Sequence, residues 1–264
     1  DLVPPDNPKY TLRRVWLTQE EEERFYYGFS NEALWPLCHI VYVKPKFDEA
    51  DWLIYKSVNQ KFANVVLEEV GNEKAFVFIQ DYHFTLLPKM LKESRPDLLV
   101  AQFWHIPWPN REAFRICPWG HEILEGLLGN DLMGFHVQYH CNNFLDTVDR
   151  NLEYRIDYGK FTATKGGKTT HVRPFPISID FEELNLLSQE KDVENEMVRM
   201  KRELGLKGQI IGVGLDRVDY TKGIPERFKA IDRFLEKSPE YRNKLTFIQA
   251  GTISRIHIED YRDC

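Results

Sequence analysis

Only 4 of the 264 residues are cysteine, and no two of them are spaced as CxxC. That excludes a disulfide-stapled scaffold and leaves Cys38, Cys117, Cys141 and Cys264 as the reduced thiols expected of a cytoplasmic chain. Long apolar runs are also missing. The nearest to one, Leu98–Trp104, contains a glutamine and is far too short to span a bilayer. Positive charge is scarce: 35 Lys and Arg against 41 Asp and Glu give a net charge of −6. A broad nucleic-acid or anionic-membrane surface is therefore excluded, although a local basic cluster can still hold a small phosphate. The chain has no internal repeat or low-complexity tract, and 42% hydrophobic with 29% charged residues is ordinary globular chemistry. It opens at Asp1 without a methionine and stops at Cys264 just after a strand-like run, so it is read as an internal piece of something longer.

The length predicts about two domains. Short runs rich in Val, Ile and Phe predict strands at Ala75–Ile79, Leu98–Trp104, Leu132–Val137, Ile210–Leu215 and Leu245–Ala250. Between them, Ile54, Val58, Phe62 and Val65 repeat at helical spacing, as do Val193, Met197, Met200 and Leu204, and then Phe228, Ile231 and Leu235. Strand and helix in alternation predict an α/β fold, a mostly parallel sheet covered on both faces. The Thr-Lys-Gly-Gly-Lys-Thr stretch before Pro174 and Pro176 is a turn signal flanked by β-formers. One charged helix is expected after it, over about Phe181–Leu206. The junction is placed near 178, giving domains 1–178 and 179–264, the second only begun.

In open parallel sheets, ligands bind beyond the carboxyl ends of the strands. That rule selects Gln80-Asp81-Tyr82-His83, His105-Ile-Pro-Trp-Pro, Asp216-Arg217-Val-Asp219-Tyr220-Thr-Lys222-Gly223 and Gly251-Thr-Ile-Ser254-Arg255. Each has an ordinary alternative. Asp81 could cap a following helix, His83 could be a structural histidine, and His105 a turn residue. Arg217 and Lys222 could be a solvated loop, but Pro225 predicts a helix start just beyond them, where an anion is favoured. His136, His140 and Cys141 have a metal-like spacing, yet His136 ends a predicted strand and no acidic ligand follows closely; metal binding is not expected. In Phe25-Tyr26-Tyr27-Gly-Phe29, a glycine and Ser30-Asn31 argue for a loop that leaves Tyr26 and Trp35 free to line a sugar pocket.

Taken together, Tyr-Gly-Phe-Ser-Asn-x3-Leu-Trp-Pro-Leu (27–37), Gln-Asp-Tyr-His-x3-Leu-Pro (80–88) and His-Ile-Pro-Trp-Pro (105–109) resemble the trehalose-6-phosphate synthases of glycosyltransferase family 20. Gly-Leu-Leu-Gly-Asn-Asp-Leu-Met-Gly-Phe (126–135) and Asp-Arg-Val-Asp-Tyr-Thr-Lys-Gly-Ile-Pro-Glu-Arg (216–227) follow in the family's order. The resemblance implies a GT-B fold, two Rossmann-like domains with the active site in the cleft between them, the second incomplete in this chain. It implies transfer of glucose from a nucleotide diphosphate-glucose, UDP-glucose foremost, to glucose 6-phosphate with retention, without metal or cofactor. Arg217 and Lys222 would hold the donor diphosphate, and His105 the donor sugar. Asp81 would contact the sugars at the reacting centre. Tyr26, Trp35 and Arg255 would line the acceptor pocket. The implied partners are the nucleotide-sugar donor and the sugar-phosphate acceptor; a homo-oligomer is left open. The alternatives are a glucosylglycerol-phosphate synthase or another nucleotide-glucose-dependent relative, or a non-catalytic regulatory member that binds sugar phosphate.

Overall fold

The computed structural model describes residues 1–41, 43–206 and 208–253. The chain divides into two compact units, Asp1–Pro176 and Ile177–Cys264. In the first, β1 (Leu2–Val3) and β2 (Tyr10–Thr11) form a short antiparallel bridge. The main sheet contains β3 (Phe76–Gln80), β4 (Leu99–Trp104), β5 (Leu132–Phe135), β6 (Arg155–Asp157), β7 (Thr162–Lys165) and β8 (Lys168–Pro174). Their spatial order is β3-β4-β5-β8-β7-β6. The first four neighbours run parallel, and β8-β7-β6 is an antiparallel meander. The β7–β8 turn is Gly166-Gly167, with φ of 57° and 78°, the left-handed pair that a tight hairpin requires.

Register sets the faces. Ile79 pairs with Gln102, Gln102 with Met133, and Met133 with Val172, so these share one side with Val100, Trp104 and Phe135. All of them are buried. Helix Glu49–Val70 starts where the Asp48 side chain accepts the Asp51 N–H, and it ends at Gly71. Its Ala63 packs with Leu87 and Leu91 of helix Leu87–Ser94 against Ile79 and Val100. Phe144 of helix Gln138–Asn151 meets Phe135 at 5.5 Å. The opposite side of the sheet exposes Phe76 (65%), Phe78 (57%) and Leu99 (60%).

Cover on both faces is therefore corrected for this unit: among the described residues the helices lie on one face. The reason is topological. The parallel strands are laid down in one direction, β3 to β4 to β5 to β8, and right-handed crossovers then place every connecting helix on the same side.

In the second unit, β9 (Ile210–Arg217) and β10 (Leu245–Thr252) pair in parallel around helix Ile224–Lys237. The single helix expected over 181–206 is two, Phe181–Leu187 and Lys191–Glu203. The break falls where Glu190 turns extended (φ −66°, ψ 142°) and starts the second helix.

Candidate active site

The loop after β3 is stitched to the helix beneath it. Tyr55 Oη donates to Tyr82 O (2.9 Å) and accepts from Thr85 N (3.0 Å). Burial pushes the Tyr55 hydroxyl well above its ordinary pKa, so it remains a donor. Asn59 Oδ1 accepts from Leu86 N and Leu87 N, both at 3.2 Å, satisfying the start of helix Leu87–Ser94. Glycines complete the fit: a Cβ on Gly126 would stand 2.3 Å from Thr85 O, and one on Gly129 2.3 Å from Lys89 N. The Gly-rich motif at 126–135 thus serves close backbone packing.

On this anchored loop, Asp81 has φ 66° and ψ −172°. That region is essentially reserved for glycine, and an L residue is strained there. Three hydrogen bonds fix it. Asp81 N donates to Phe103 O (2.7 Å), Asp81 O accepts from Gln102 Nε2 (2.8 Å), and Asp81 Oδ1 accepts from His105 N (3.2 Å). The cap reading is set aside, because the Asp81 side chain makes no capping bond to the turn that follows.

His105 is exposed, and its Nε2–H donates to Gln80 Oε1 at 2.7 Å. His136 lies 5.8 Å from it, ring to ring. Within His-Ile-Pro-Trp-Pro, Ile106 (6%) and Trp108 (1%) are core, so His105 is the member available to a ligand. Gln102 was not among the residues selected from the sequence, His136 was weighed only for metal-like spacing, and Gln80 stood beside Asp81 without a role of its own. The signal for Gln80 was strand parity: it pairs with Phe103, two residues before His105, and so shares a face with the histidine.

The segment expected as an aromatic loop is helical instead. After the Thr18–Glu21 capping box, Glu22–Leu34 winds as a π-helix that runs directly into helix Trp35–His39. Burial of Phe25, Phe29, Ala33 and Leu34 outweighs the local signals of Gly28 and Ser30-Asn31. Trp35 is 6% exposed, not freely displayed. The rings nevertheless form a chain: Tyr26 stacks on His83 (5.6 Å), His83 on Tyr82 (4.2 Å), and Tyr82 meets Trp35 (5.9 Å). Both candidate acceptor residues therefore reach the loop that carries Asp81.

In the second unit, Arg217 ends β9 and Lys222 ends the turn Tyr220–Lys222. Asp219 is buried and its Oδ1 accepts from Thr221 N (2.9 Å) and Thr221 Oγ1 (2.8 Å). Gly223 (φ 61°) then turns the chain into helix Ile224–Lys237. Arg227 takes Asp216 at 2.8 Å and holds its carboxyl below the usual range. Among the described residues, Arg217 and Lys222 have no ion-pair partner and stay exposed beside that helix start. Arg255 lies outside the described residues.

Two other clusters are structural. His136 leans on Phe103 (4.9 Å), while His140 donates from Nδ1 to Trp108 O (3.2 Å), so the two rings serve different neighbours. Burial pushes the Cys141 thiol up to about 11, as for a thiol packed in the core. At the amino ends of the strands, a cavity of about 450 Å³ contains Lys89 and Lys92, each held by a carboxylate at 2.7 Å, Glu125 and Asp131 respectively.

The chain matches the model of glycosyltransferase family 20 over residues 2–264. It is 38% identical over 259 residues to the trehalose-6-phosphate synthase of Mycolicibacterium smegmatis, covering 95% of this chain and 51% of that protein. Its structure is similar to that of a trehalose-6-phosphate protein from E. coli bound with UDP-2-fluoro glucose, with TM-score 0.84, 28% identity, and 94% and 54% of the two chains covered. It is similar also to an alpha,alpha-trehalose-phosphate synthase (UDP-forming) from Burkholderia xenovorans in complex with glucose-6-phosphate, with TM-score 0.85, 28% identity, and the same shares covered. The chain thus spans about half the length of these relatives. Its α/β fold is the GT-B class of those structures. With the family model matched from near the first residue to the last, the chain belongs to glycosyltransferase family 20.

Proposed function

We propose that this chain is part of a retaining glycosyltransferase that moves glucose from UDP-glucose to glucose 6-phosphate, yielding trehalose 6-phosphate. The observation that carries this reading is the Asp81 loop. A carboxylate is held in a strained backbone at the carboxyl edge of a parallel sheet, joined to an exposed histidine and reached by an aromatic chain from Tyr26 to Trp35. Such strain is tolerated where function needs a side chain in one place. Asp81 acts at the reacting sugars and His105 on the donor sugar; residues 1–178 form the acceptor-side domain. Residues 179–264 open the nucleotide-sugar domain, where Arg217 and Lys222 neutralise the leaving diphosphate. Arg supplies a planar fork and Lys a mobile point charge, so the developing charge meets fixed cations without a metal. Tyr26, Trp35 and Arg255 take the acceptor, Tyr26 and Arg255 at its 6-phosphate.

The relatives' names and ligands support both substrates. Among the described residues no helix is long and apolar enough to cross a membrane.

The test is an end-point assay of the full-length protein with UDP-glucose, offering glucose 6-phosphate and glycerol 3-phosphate separately, with and without EDTA. Transfer to glucose 6-phosphate alone, unaffected by EDTA, is expected. Transfer only to glycerol 3-phosphate, or to neither, overturns the acceptor. Loss in EDTA restored by magnesium overturns the metal-free reading.

A further inference from the structure

Beneath the Asp81 loop, the apolar face of the sheet contains polar side chains that no substrate could reach. Gln102 is 1% exposed and Asn130 2%, among Val100, Trp104, Met133 and Phe135. A buried amide is costly unless it is bonded. These two are bonded to each other and then to the site: Asn130 Nδ2 donates to Gln102 Oε1 (3.0 Å), and Gln102 Nε2 donates to Asp81 O (2.8 Å). Asn130 is fixed in turn. Its Nδ2 also donates to Leu127 O (2.9 Å), and its backbone carbonyl oxygen accepts from Thr170 Oγ1 (2.8 Å). Its Oδ1 is buried and, among the described residues, has no hydrogen-bond partner. The fold thus carries an unpaired acceptor in order to aim the amide donors at Gln102 and Leu127.

The end of this relay is the strained residue. Asp81 O is the atom clamped, and the φ of 66° at Asp81 is the torsion that an L residue would leave if the clamp were released. We propose that Gln102 and Asn130 are positioning residues for the transfer reaction: a buried amide relay that holds the Asp81 backbone in its strained conformation and so keeps the carboxylate at the carboxyl edge, in register with His105. This rests on the reading of Asp81 as a residue of the reacting centre, but the clamp itself can be tested without substrate.

The experiment is a double-mutant cycle in the full-length protein with Gln102→Met, Asp81→Gly and both, read by thermal midpoint and by kcat and KM. Gln102→Met is close in volume and removes the donor to Asp81 O. In the Asp81 background the lost bond is offset by relaxation of the strained torsion. In the Asp81→Gly background there is no strain to release. Gln102→Met should therefore lower Tm more in the glycine background than in the wild type. With Asp81 present it should lower kcat per folded molecule by about tenfold, with little change in either KM. Asn130→Leu, which removes the donor to Gln102, should act in the same direction by about threefold. An equal Tm loss in both backgrounds, or an unchanged kcat, overturns the relay and makes Gln102 a packing residue. Should Gln102→Met not fold, Gln102→Leu, which also lacks the donor, completes the same cycle. If the wild type transfers no glucose, the function proposed for Asp81 fails while the Tm cycle still decides the clamp.

Discussion

The two units have similar sequence patterns and different interiors. Residues 1–176 bury Trp52, Trp104, Trp108, Phe29, Phe114 and Phe144 almost completely. In the second unit, among the described residues, Ile224 is the one buried hydrophobic side chain, at 8%. Val213 (69%) and Leu215 (79%) of β9 face outward despite strand-like neighbours. Helix Lys191–Glu203 presents Met197 and Met200 in the same way. Alternation and helical spacing thus specify which face is apolar; burial additionally requires enough elements to close on that face. Six strands with their helices achieve this in the first unit, and a two-stranded sheet is too small to do so.

The largest effect should come from cutting into the closed core. Trp104→Ala removes a 1%-exposed indole that packs on Trp108 at 5.0 Å, and should cost about 3–5 kcal/mol in urea unfolding. Leu215→Ala, at 79% exposure, should stay within about 0.5 kcal/mol. If Leu215→Ala costs as much as Trp104→Ala, the second unit buries that face in solution and the contrast between the units breaks.

A polar deletion in the first unit should follow. Asn59→Leu leaves Leu86 N and Leu87 N without their acceptor in a buried loop, a loss of about 1–3 kcal/mol. Because that loop carries Asp81, turnover of the folded fraction should fall as well. Full activity with reduced stability would separate the anchor from the site.

In the second unit the sharpest change concerns rate. Lys222 is exposed, and Lys222→Ala should leave stability nearly untouched. In the diphosphate-binding role proposed for it, a contact worth about 1.5–3 kcal/mol, its loss should slow the full-length protein at least tenfold at saturating donor. Normal turnover would remove it from the donor site.

What was legible from sequence follows the same division. The five expected strands occur where the runs of Val, Ile and Phe lie, because parallel strands are marked by continuous apolar runs. The Gly166-Gly167 hairpin was marked by its glycines; its role in attaching β8 to β5 was not, because that pairing is long-range. The helical course of Glu22–Leu34 was hidden by Gly28 and Ser30-Asn31, turn formers overridden here by burial. Asp81 could be chosen by its position after a strand. Its positive φ could not, since an aspartate there looks like an ordinary cap until Gln102, 21 residues away, is seen holding its carbonyl.

The smallest expected effect concerns pH and again belongs to the closed unit. His140 is half-buried, and burial is the main cause that holds its imidazole below the ordinary value of 6.5; the carbonyl of Trp108, bonded to Nδ1, pulls in the other direction without cancelling it. With the folded pKa depressed, the unfolded chain takes up a proton first as pH falls. Stability linked to this residue is therefore fully present above about pH 6.5 and is lost below it, down through the depressed folded value. The neighbouring His136 adds to the same sign, because two imidazolium charges would repel. His140→Gln removes the titration, so its Tm should change less than that of the wild type between pH 7 and the onset of carboxylate protonation. The difference should be below about 1 kcal/mol. A wild-type Tm that is flat across that interval, or one that rises toward acid, would mean that the imidazole accepts its proton in place and that the Trp108 contact dominates over burial.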